Sequence, residues 1–275
     1  MIIKTLIDDR IASGASPSLH AEHGLSLYVE TRDRKILLDT GGGYHLTGNA
    51  AVMGVDLSSI DAVILSHGHK DHIGGLSPFL AVNHRARIYL SRRIFQQFSM
   101  RVCGLSFPIG DNRRFPGEWK ARSYLVDQFH AIDDKTYLIS GFHGPASHLL
   151  RAGGMPDDFS HEMILVIQSR RGAVIFTGCC HSGLPAILQR VAALLPYAFP
   201  CTIIGGLHLI SFPKLGIGRM DTQSMDVLTR MVQRGSISQV YTCHCTGKRP
   251  FTKLRSELGS KIQYIGTGSV ISIPS

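Results

Sequence analysis

The sequence lacks any apolar run long enough to cross a membrane, and its first residues lack the features of a secretory signal. No stretch reaches the roughly 18–20 consecutive apolar residues that a membrane-spanning helix needs. Residues 1–10 form a short apolar segment followed closely by charges, without a basic start, a long apolar stretch or a small-residue cleavage site. These absences predict a cytoplasmic protein that has no membrane partner.

Closely spaced CxxC pairs and a linker rich in proline or serine are also missing. Of the six cysteines, Cys179 and Cys180 are neighbours, and Cys243 and Cys245 flank a histidine. This spacing fits neither a disulfide scaffold nor a structural zinc site, and it favours free thiols in a reducing compartment. Because no linker interrupts the chain and 44% of its residues are hydrophobic, we expect a single domain over residues 1–275.

Positive charge is abundant and unevenly distributed. The formal net charge is +9, and nine lysines or arginines lie between His84 and Arg122 against two acidic residues. Such a segment is either a solvated face or a basic rim that attracts an anionic substrate, for which Arg113 and Arg114 are the candidates. No RNA- or DNA-binding motif accompanies the charge, so we expect no nucleic-acid partner. Residues 100–122 have an irregular pattern and are expected to form an insertion over the site.

The most informative segment is Leu65–Gly75, which reads LSHGHKDHIGG and follows a short apolar run that predicts a buried strand. Imidazole nitrogens and carboxylate oxygens are ligands that zinc prefers. In an extended or turning segment His67 and His69 point the same way, because side chains alternate with a period of two. Asp71 and His72 lie further round the turn and point at a second position. The spacing therefore predicts two adjacent metal ions.

Five other segments carry related motifs: AEHGLS (21–26), KILLDTG (35–41), FTGCCHSG (176–183), IGGLHL (204–209) and YTCHCTG (241–247). With the histidine-rich segment, they resemble the metallo-β-lactamase superfamily, whose signature is HxHxDH. They are most similar to the branch that contains the archaeal dihydropterin–ribofuranosylaminobenzene 5′-phosphate synthase and related bacterial hydrolases. The resemblance runs from about residue 20 to residue 268. It implies an α/β fold, the four-layer αββα sandwich of that superfamily.

The resemblance also implies two ion sites. Their ligands would be His67, His69 and His181 for the first site, and Asp71, His72 and His244 for the second. His161 competes with His181 for the last place in the first site. The carboxylate of Asp39 would orient the histidine loop from behind. Many superfamily members have a bridging aspartate where this chain has Cys179, which is either a thiolate ligand of the metals or a small buried thiol.

Three further residues have open roles. His208 follows a strand in the Gly-Gly-x-His-Leu motif and is either a ligand, a proton donor to the leaving group or a histidine that caps the strand. Glu22 and His23 are expected to approach the site from the N-terminal part of the chain, where they would contact either the ligands or the substrate.

These features predict a hydrolase in which two ions make a water molecule reactive against a small anionic substrate, with a phosphate group expected. Zinc is the expected ion, and manganese or iron are alternatives. Asp71 would steer the reactive water as well as bind an ion. The alternatives are a synthase that acts on a pterin phosphate, as in the archaeal branch, and a non-catalytic sensor of a small anion. A di-iron redox enzyme is disfavoured, because those relatives have a carboxylate where this chain has His69. A homo-oligomer is compatible with the sequence.

Overall fold

The computed structural model describes residues 1–111, 117–142, 144, 146–147, 149–212 and 217–274, and for residues 117, 118, 212 and 217 it describes the backbone alone. Arg113 and Arg114, the expected substrate contacts, lie outside the described residues. In the described part of the chain, no helix combines the length and the apolar character that a membrane span requires.

The described residues form twenty strands and six α-helices. The strands are β1 (Ile2–Ile7), β2 (Ser26–Glu30), β3 (Lys35–Leu38), β4 (Ala62–Ile64), β5 (Arg87–Ser91), β6 (Phe98–Val102), β7 (Leu105–Pro108), β8 (Ser123–Val126), β9 (Phe129–Ala131), β10 (Thr136–Ser140), β11 (Leu150–Ala152), β12 (Met155–Pro156), β13 (Met163–Ser169), β14 (Gly172–Thr177), β15 (Cys201–Gly205), β16 (Ile210–Phe212), β17 (Ile217–Met220), β18 (Ile237–Thr242), β19 (Ile262–Tyr264) and β20 (Val270–Ser272). The helices are α1 (Leu46–Val52), α2 (Lys70–Ile73), α3 (Leu76–Val82), α4 (Leu184–Leu194), α5 (Thr222–Gln233) and α6 (Lys248–Leu258).

Two seven-stranded sheets form the centre of the molecule. The first has the strand order β20-β1-β2-β3-β4-β5-β8, and the second has the order β19-β18-β15-β14-β13-β10-β9. Each sheet is mixed: β3, β4, β5 and β8 run parallel, as do β14, β15, β18 and β19, whereas the other neighbours are antiparallel. A four-stranded sheet (β12-β11-β6-β7) and a two-stranded sheet (β16-β17) complete the topology.

Three hydrophobic cores arrange these elements in four layers. One core lies between the two large sheets and includes Leu27, Ile64 and Phe176. A second joins the first sheet to α1 and α3, and a third joins the second sheet to α4, α5 and α6. Each fully buried leucine or phenylalanine contributes about 1.5–3 kcal/mol to folding. The order of layers is therefore helix, sheet, sheet, helix, as in an αββα sandwich.

The central strands are apolar throughout because both of their faces are covered. In β3, Leu37 packs toward the helices, whereas Ile36 and Leu38 pack into the core between the sheets. In β14, Ile175 and Phe176 likewise belong to different cores. Alternation along a strand places neighbouring side chains on opposite faces, so a strand buried on both faces becomes a continuous apolar run.

The topology brings the sequence motifs together at one end of the sandwich. β3 and β4 are parallel, so the segments that follow them, with Asp39 and residues 65–75, leave from the same edge of the first sheet. In the second sheet β14, β15 and β18 are parallel, so residues 178–183, 206–209 and 243–247 leave from a single edge as well. The two edges face each other across the core between the sheets.

Residues 100–122 are more regular than the sequence pattern indicates. Strands β6 and β7 form an antiparallel hairpin from Phe98 to Pro108, and residues 117–122 form a 3₁₀ helix. The expectation of an irregular insertion is therefore wrong for residues 100–108, whose side chains in β7 are exposed and leave no alternating apolar pattern for the sequence to show.

Candidate metal centre

Asp39 fixes the histidine-rich loop at the end of β4. It lies just after β3 with a backbone φ of 58°, and its side chain is completely buried. Its Oδ1 accepts the backbone N–H of Ser66 at 2.7 Å, and its Oδ2 accepts the hydroxyl of Ser66 at 2.6 Å and Nδ1–H of His72 at 2.7 Å. The carboxylate thus orients the loop from behind, the position expected from the sequence.

The first histidine group consists of His67, His69 and His181. Nε2 of His67 lies 3.1 Å from Nδ1 of His69, and both rings contact the ring of His181, with centroid distances of 4.9 and 4.8 Å. Neither ring nitrogen of His181 has a hydrogen-bond partner among the described residues. Ligand atoms of His67, His181 and Cys179 lie within 4.8 Å of one another.

The second histidine group consists of Asp71, His72 and His244. Nε2 of His72 lies 3.3 Å from Nε2 of His244, which in turn lies 3.3 Å from Oδ2 of Asp71. Sγ of Cys179 lies 3.1 Å from Nε2 of His72. Cys179 therefore contacts members of both groups, at the place where the superfamily resemblance predicts a bridging ligand.

Hydrogen bonds behind the rings hold the Nδ1 atoms of His67 and His72. Nδ1 of His67 pairs with Oγ of Ser66 at 2.9 Å, as Nδ1 of His72 pairs with Asp39. When Nδ1 carries the proton, Nε2 presents a lone pair, the form in which imidazole binds a metal. Each of these Nε2 atoms lies close to another ring nitrogen or to a sulfur, so the two groups bring together ligand-type atoms that could hold a cation.

The electrostatics of the two groups differ. Burial, reinforced by the surrounding imidazoles, lowers the pKa of His67 and His181 well below the usual range, so both rings are neutral. Burial would also lower the pKa of His244, but the hydrogen bonds that its ring donates to Asp71 and Asp9 raise it well above its usual value. Burial would raise the pKa of Asp71, but His72 and His244 hold it well below its usual range. The second group therefore attracts positive charge strongly.

Two carboxylates that sequence reasoning missed support the second group. Oδ1 of Asp9 lies 2.8 Å from Nδ1 of His244 and 3.1 Å from Nδ1 of His23. Asp8 is completely buried, and its Oδ1 accepts the backbone N–H of His244 at 2.6 Å. Burial, with the neighbouring Asp9 carboxylate, raises the pKa of Asp8 to about 6. The available signal was a pair of adjacent carboxylates just after β1, which looks like an ordinary polar turn.

The hydrogen bonds of His161 separate it from His181. Its Nδ1 accepts the backbone N–H of Gly68 at 3.1 Å, and its Nε2–H donates to Asp157 at 3.1 Å. Both nitrogens are thus used in holding the loop between His67 and His69, whereas both nitrogens of His181 lack partners within the described chain. The geometry places His181, rather than His161, in the first histidine group.

Glu162 positions the segment that carries His181. It is buried, and its two carboxylate oxygens accept the backbone N–H groups of His181 and Ser182 at 2.7 and 2.8 Å. Burial raises the pKa of Glu162, since a charged carboxylate is poorly solvated there. The ring of Phe159 stacks on that of His181 with an interplanar angle of 8°. Backbone and ring of His181 are therefore both fixed.

The side chains of Glu22 and His23 contact different parts of the molecule. Oδ2 of Asp71 lies 3.4 Å from Nε2 of His23, so this histidine adjoins the second group, as expected. The carboxylate of Glu22 instead accepts the backbone N–H groups of Tyr44 and His45. The expectation that Glu22 contacts the ligands or the substrate is wrong, because its oxygens are occupied in holding the segment before α1.

His208 and Cys245 lie beside the two groups. The ring centroid of His208 is 4.4 Å from that of His181, and Nδ1 of His208 is buried without a hydrogen-bond partner in the described part of the chain. A ring nitrogen of His208 and the sulfur atoms of Cys179 and Cys245 lie within 4.8 Å of one another. The sequence indicated no role for Cys245, which we treat below.

A cavity of about 880 Å³ opens onto both histidine groups. Its polar wall includes the imidazoles of His69, His181 and His208 and the carboxylate of Asp71. Its apolar wall is formed by Met100, Ile109, Leu149, Leu150, Phe159, Ile210 and Met220. The small sheets thus cover the ligands and leave a pocket large enough for a small molecule.

Comparison with known proteins agrees with this architecture. The family sequence model of the metallo-beta-lactamase superfamily matches residues 21–91, which include the histidine-rich loop. A solved structure, Tm1679, described as a metal-dependent hydrolase of the β-lactamase superfamily, is 25% identical, and the match covers 100% of both chains with a TM-score of 0.79. This chain has the metallo-β-lactamase fold. The fold class and the superfamily resemblance read from the sequence are confirmed.

Two more known proteins match this metallo-β-lactamase domain over nearly its whole length, one in sequence and one in structure. The 7,8-dihydropterin-6-methyl-4-(beta-D-ribofuranosyl)-aminobenzene-5'-phosphate synthase of Methanocaldococcus jannaschii is 22% identical over 98% of this chain and 95% of its own. Zinc-bound PqqB from Methylobacterium extorquens has 11% identity, a TM-score of 0.56 and coverage of 99% of this chain and 100% of its own. The first is a relative in sequence, and the second shares the fold.

Proposed function

We propose that this protein is a metal-dependent hydrolase that holds two divalent ions, one in each histidine group. Zinc is the expected ion. The observation that carries the proposal is the convergence of imidazole nitrogens: Nε2 of His72 lies 3.3 Å from Nε2 of His244, and Nε2 of His67 lies 3.1 Å from Nδ1 of His69. Sγ of Cys179 lies beside members of both groups, and Nδ1 of His67 and Nδ1 of His72 are held from behind, which leaves their Nε2 atoms as the ligand atoms of a metal site.

The donor set fits two borderline divalent ions. His67, His69 and His181 would hold the first ion, and Asp71, His72 and His244 the second. Sγ of Cys179 would be shared, since it approaches members of both groups. Histidine, carboxylate and thiolate ligands suit zinc, while manganese or iron(II) would be favoured less by the sulfur.

When bound, the ions lower the pKa of a water molecule and neutralise the negative charge that develops on the substrate. The chain itself supplies orientation. Asp39 and Asp9 hold the rings of His72 and His244 through their Nδ1 atoms, and His161 holds the backbone of Gly68. His208, whose side chain lines the cavity and whose Nδ1 has no hydrogen-bond partner among the described residues, is placed to donate a proton to a leaving group.

The cavity favours a small anion that has an apolar part. Leu149, Phe159 and Met220 would contact the apolar part, and the guanidinium of Arg219 at the rim would contact a phosphate or carboxylate. The substrate class that we propose is a ring compound that carries a single phosphate group.

A synthase that acts on a pterin phosphate is the second candidate. It is favoured by the M. jannaschii relative, whose match covers 98% of this chain. Incubation of the zinc-loaded protein with a ribosylated aminobenzene phosphate and a reduced pterin that bears a leaving group on its methyl carbon would give a joined product and the released leaving group if this candidate is right. Hydrolysis of one substrate alone would favour the hydrolase.

Ion content and turnover test the hydrolase. The zinc-loaded chain should retain about two ions by mass spectrometry of metals, and His67→Ala and His72→Ala should each retain about one. His84→Ala, which changes an exposed imidazole, is the matched control and should retain both. The wild type should turn over at least one substrate in a panel of phosphomonoesters, phosphodiesters, lactones and thioesters, and His67→Ala should not.

Two results would overturn the proposal. One is a purified and zinc-incubated chain that retains no divalent ion. The other is His67→Ala with unchanged ion content and unchanged turnover. Tight binding of inorganic phosphate by the loaded chain without turnover of any substrate in the panel would instead favour a sensor of a small anion.

A cytoplasmic location is part of the proposal. All six cysteines are free thiols in the structure, five of them buried and Cys103 exposed. Free thiols are the usual state in a reducing compartment.

A further inference from the structure

Cys179 and Cys245 meet although they follow strands that are not neighbours. Cys179 follows β14, Cys245 follows β18, and β15 lies between these strands. The two sulfur atoms lie within 4.8 Å of each other, and Sγ of Cys245 approaches the carbonyl oxygen of Cys179 at 3.4 Å. The pair therefore bridges the end of the intervening strand.

The absence of a side chain at Gly206 makes this approach possible. A Cβ at this position would lie 2.5 Å from Sγ of Cys245 and 3.4 Å from Cα of Cys179. Any larger residue after β15 would push between the two cysteines. The close approach is thus a property of this local sequence and not of the strand order alone.

The environment of the pair differs from that of the other cysteines. Cys179 and Cys245 are only 3% and 2% exposed, yet both line the cavity that opens to solvent. Cys201 lies in the core between the second sheet and its helices, and Cys103 is exposed on the hairpin of β6 and β7. The pair is therefore shielded from bulk solvent and faces the cavity, where a small molecule would meet it.

We propose that Cys179 and Cys245 form a reversible disulfide when a peroxide enters the cavity. One thiol and hydrogen peroxide give a sulfenic acid and water, and the second thiol then displaces a second water to form the S–S bond. In sum, two thiols are oxidised, one peroxide is reduced and two waters are released. Both protons leave in the waters, so no other reactant is needed.

Formation of this bond would remove the sulfur that both histidine groups share. This consequence rests on the proposed function, since it requires that Cys179 binds the ions. Oxidation would then release or weaken at least one ion, and a dithiol reductant would restore the site. The disulfide itself requires no ion and can be tested separately.

Mass mapping on the metal-free chain tests the disulfide. The Cys103→Ser background removes the exposed thiol. Treatment with a small excess of hydrogen peroxide should remove about two of the five remaining thiols, and dithiothreitol should restore them. Trypsin should then release residues 172–190 joined to residues 235–248, the two peptides that contain the pair.

Each of these peptides has a second cysteine, so the chain offers matched controls. The joined peptides should persist in Cys180→Ser and in Cys243→Ser, and they should be absent in Cys245→Ser and in Cys245→Ala. The proposal is overturned if no joined peptide forms, or if it persists in both Cys245 variants. Far-ultraviolet circular dichroism of each variant verifies that the comparison is between folded chains.

The zinc-loaded chain tests the consequence. Peroxide should release zinc to a chromogenic chelator from the Cys103→Ser chain and not from its Cys245→Ser derivative. Joined peptides without zinc release would leave the disulfide standing and would overturn the shared role of Cys179. A chain that takes up no zinc would overturn the proposed function, while the peptide map would still decide the disulfide.

Discussion

Oδ1 of Asp9 lies 2.8 Å from Nδ1 of His244, although the two residues are 235 positions apart. The same oxygen lies 3.1 Å from Nδ1 of His23. One carboxylate therefore sets the orientation of two imidazoles. Burial would raise the pKa of Asp9, but the hydrogen bonds that it accepts from His23 and His244 hold that pKa well below its usual range. This residue supports the second histidine group from behind.

Replacement of this carboxylate should weaken one ion site. Asp9→Ala leaves Nδ1 of His244 without its acceptor, so the ring loses its fixed orientation. Loss of such a partner typically lowers metal affinity by about 10- to 100-fold. Competition with a zinc chelator should show one site weakened by this factor and the other unchanged. Asp33→Ala, which removes an exposed carboxylate, should leave both sites unchanged, and equal behaviour of the two variants would refute the role of Asp9.

Cobalt substitution should report on Cys179. A thiolate bound to cobalt(II) gives an intense near-ultraviolet charge-transfer absorption that imidazole and carboxylate ligands do not give. We expect this band in the wild-type chain and its loss in Cys179→Ser. Cys201→Ser alters a buried thiol far from the cavity and should keep the band. A cobalt-loaded wild-type chain without the band would show that Cys179 is only a buried thiol.

Two glycine replacements should change stability in opposite directions. In Gly206→Ala the new Cβ would lie 2.5 Å from Sγ of Cys245 and 2.6 Å from the carbonyl oxygen of Gly178. We expect the free energy of unfolding to fall by about 1–3 kcal/mol, the usual cost of overpacking. Gly48→Ala places a Cβ in open space on α1 and should raise stability by about 0.5–1 kcal/mol. Urea unfolding monitored by circular dichroism measures both, and a Gly206→Ala chain as stable as wild type would contradict the contact.

Alkylation should distinguish Cys201 from Cys103. Burial raises the pKa of Cys201 to about 12. Only about one such thiol in ten thousand is ionised at a pH near 8, and the side chain is also shielded from reagent. Iodoacetamide should therefore label the exposed Cys103 and leave Cys201 unmodified in the folded chain. In urea both should react, which controls for the detection of each peptide.

The same thiol predicts a loss of stability at high pH. Because its pKa is higher in the folded chain than the reference value of about 8.5 in the unfolded chain, the folded state retains the proton longer. Its contribution to stability is complete below about pH 8.5 and is lost as the pH rises toward 12. Cys201→Ala should reduce the alkaline decline in the free energy of unfolding. An unchanged slope would show that the thiol titrates equally in both states.

The sequence predicted the parts of the site that are local. The loop from His67 to His72 carries four ligand-type residues within six positions and closely follows β4, so the prediction of an ion site there needed no structure. Strands β13 and β14 were equally clear, because burial on both faces gives continuous apolar runs. The family resemblance then supplied Asp39, whose buried carboxylate does orient the loop.

The rest of the site depends on contacts that no local pattern records. From the sequence, His161 and His181 were both candidates for the third ligand of the first site. They differ in that both ring nitrogens of His161 have hydrogen-bond partners, whereas those of His181 have none among the described residues. Asp157 looks like a surface residue beside Asp158, but it is completely buried under the histidine loop. Glu22 was misplaced because proximity to His23 in sequence says nothing about the direction of its side chain. Each of these outcomes is decided by tertiary packing.

The pairing of Asp9 with His244 has a consequence for synthesis of the protein. During translation Asp9 is added to the chain more than two hundred residues before His244. Until His244 has been added, the second histidine group is incomplete, although the loop that carries Asp71 and His72 has already been synthesised. Assembly of this group therefore follows closure of the sandwich and not the synthesis of the loop from His67 to His72.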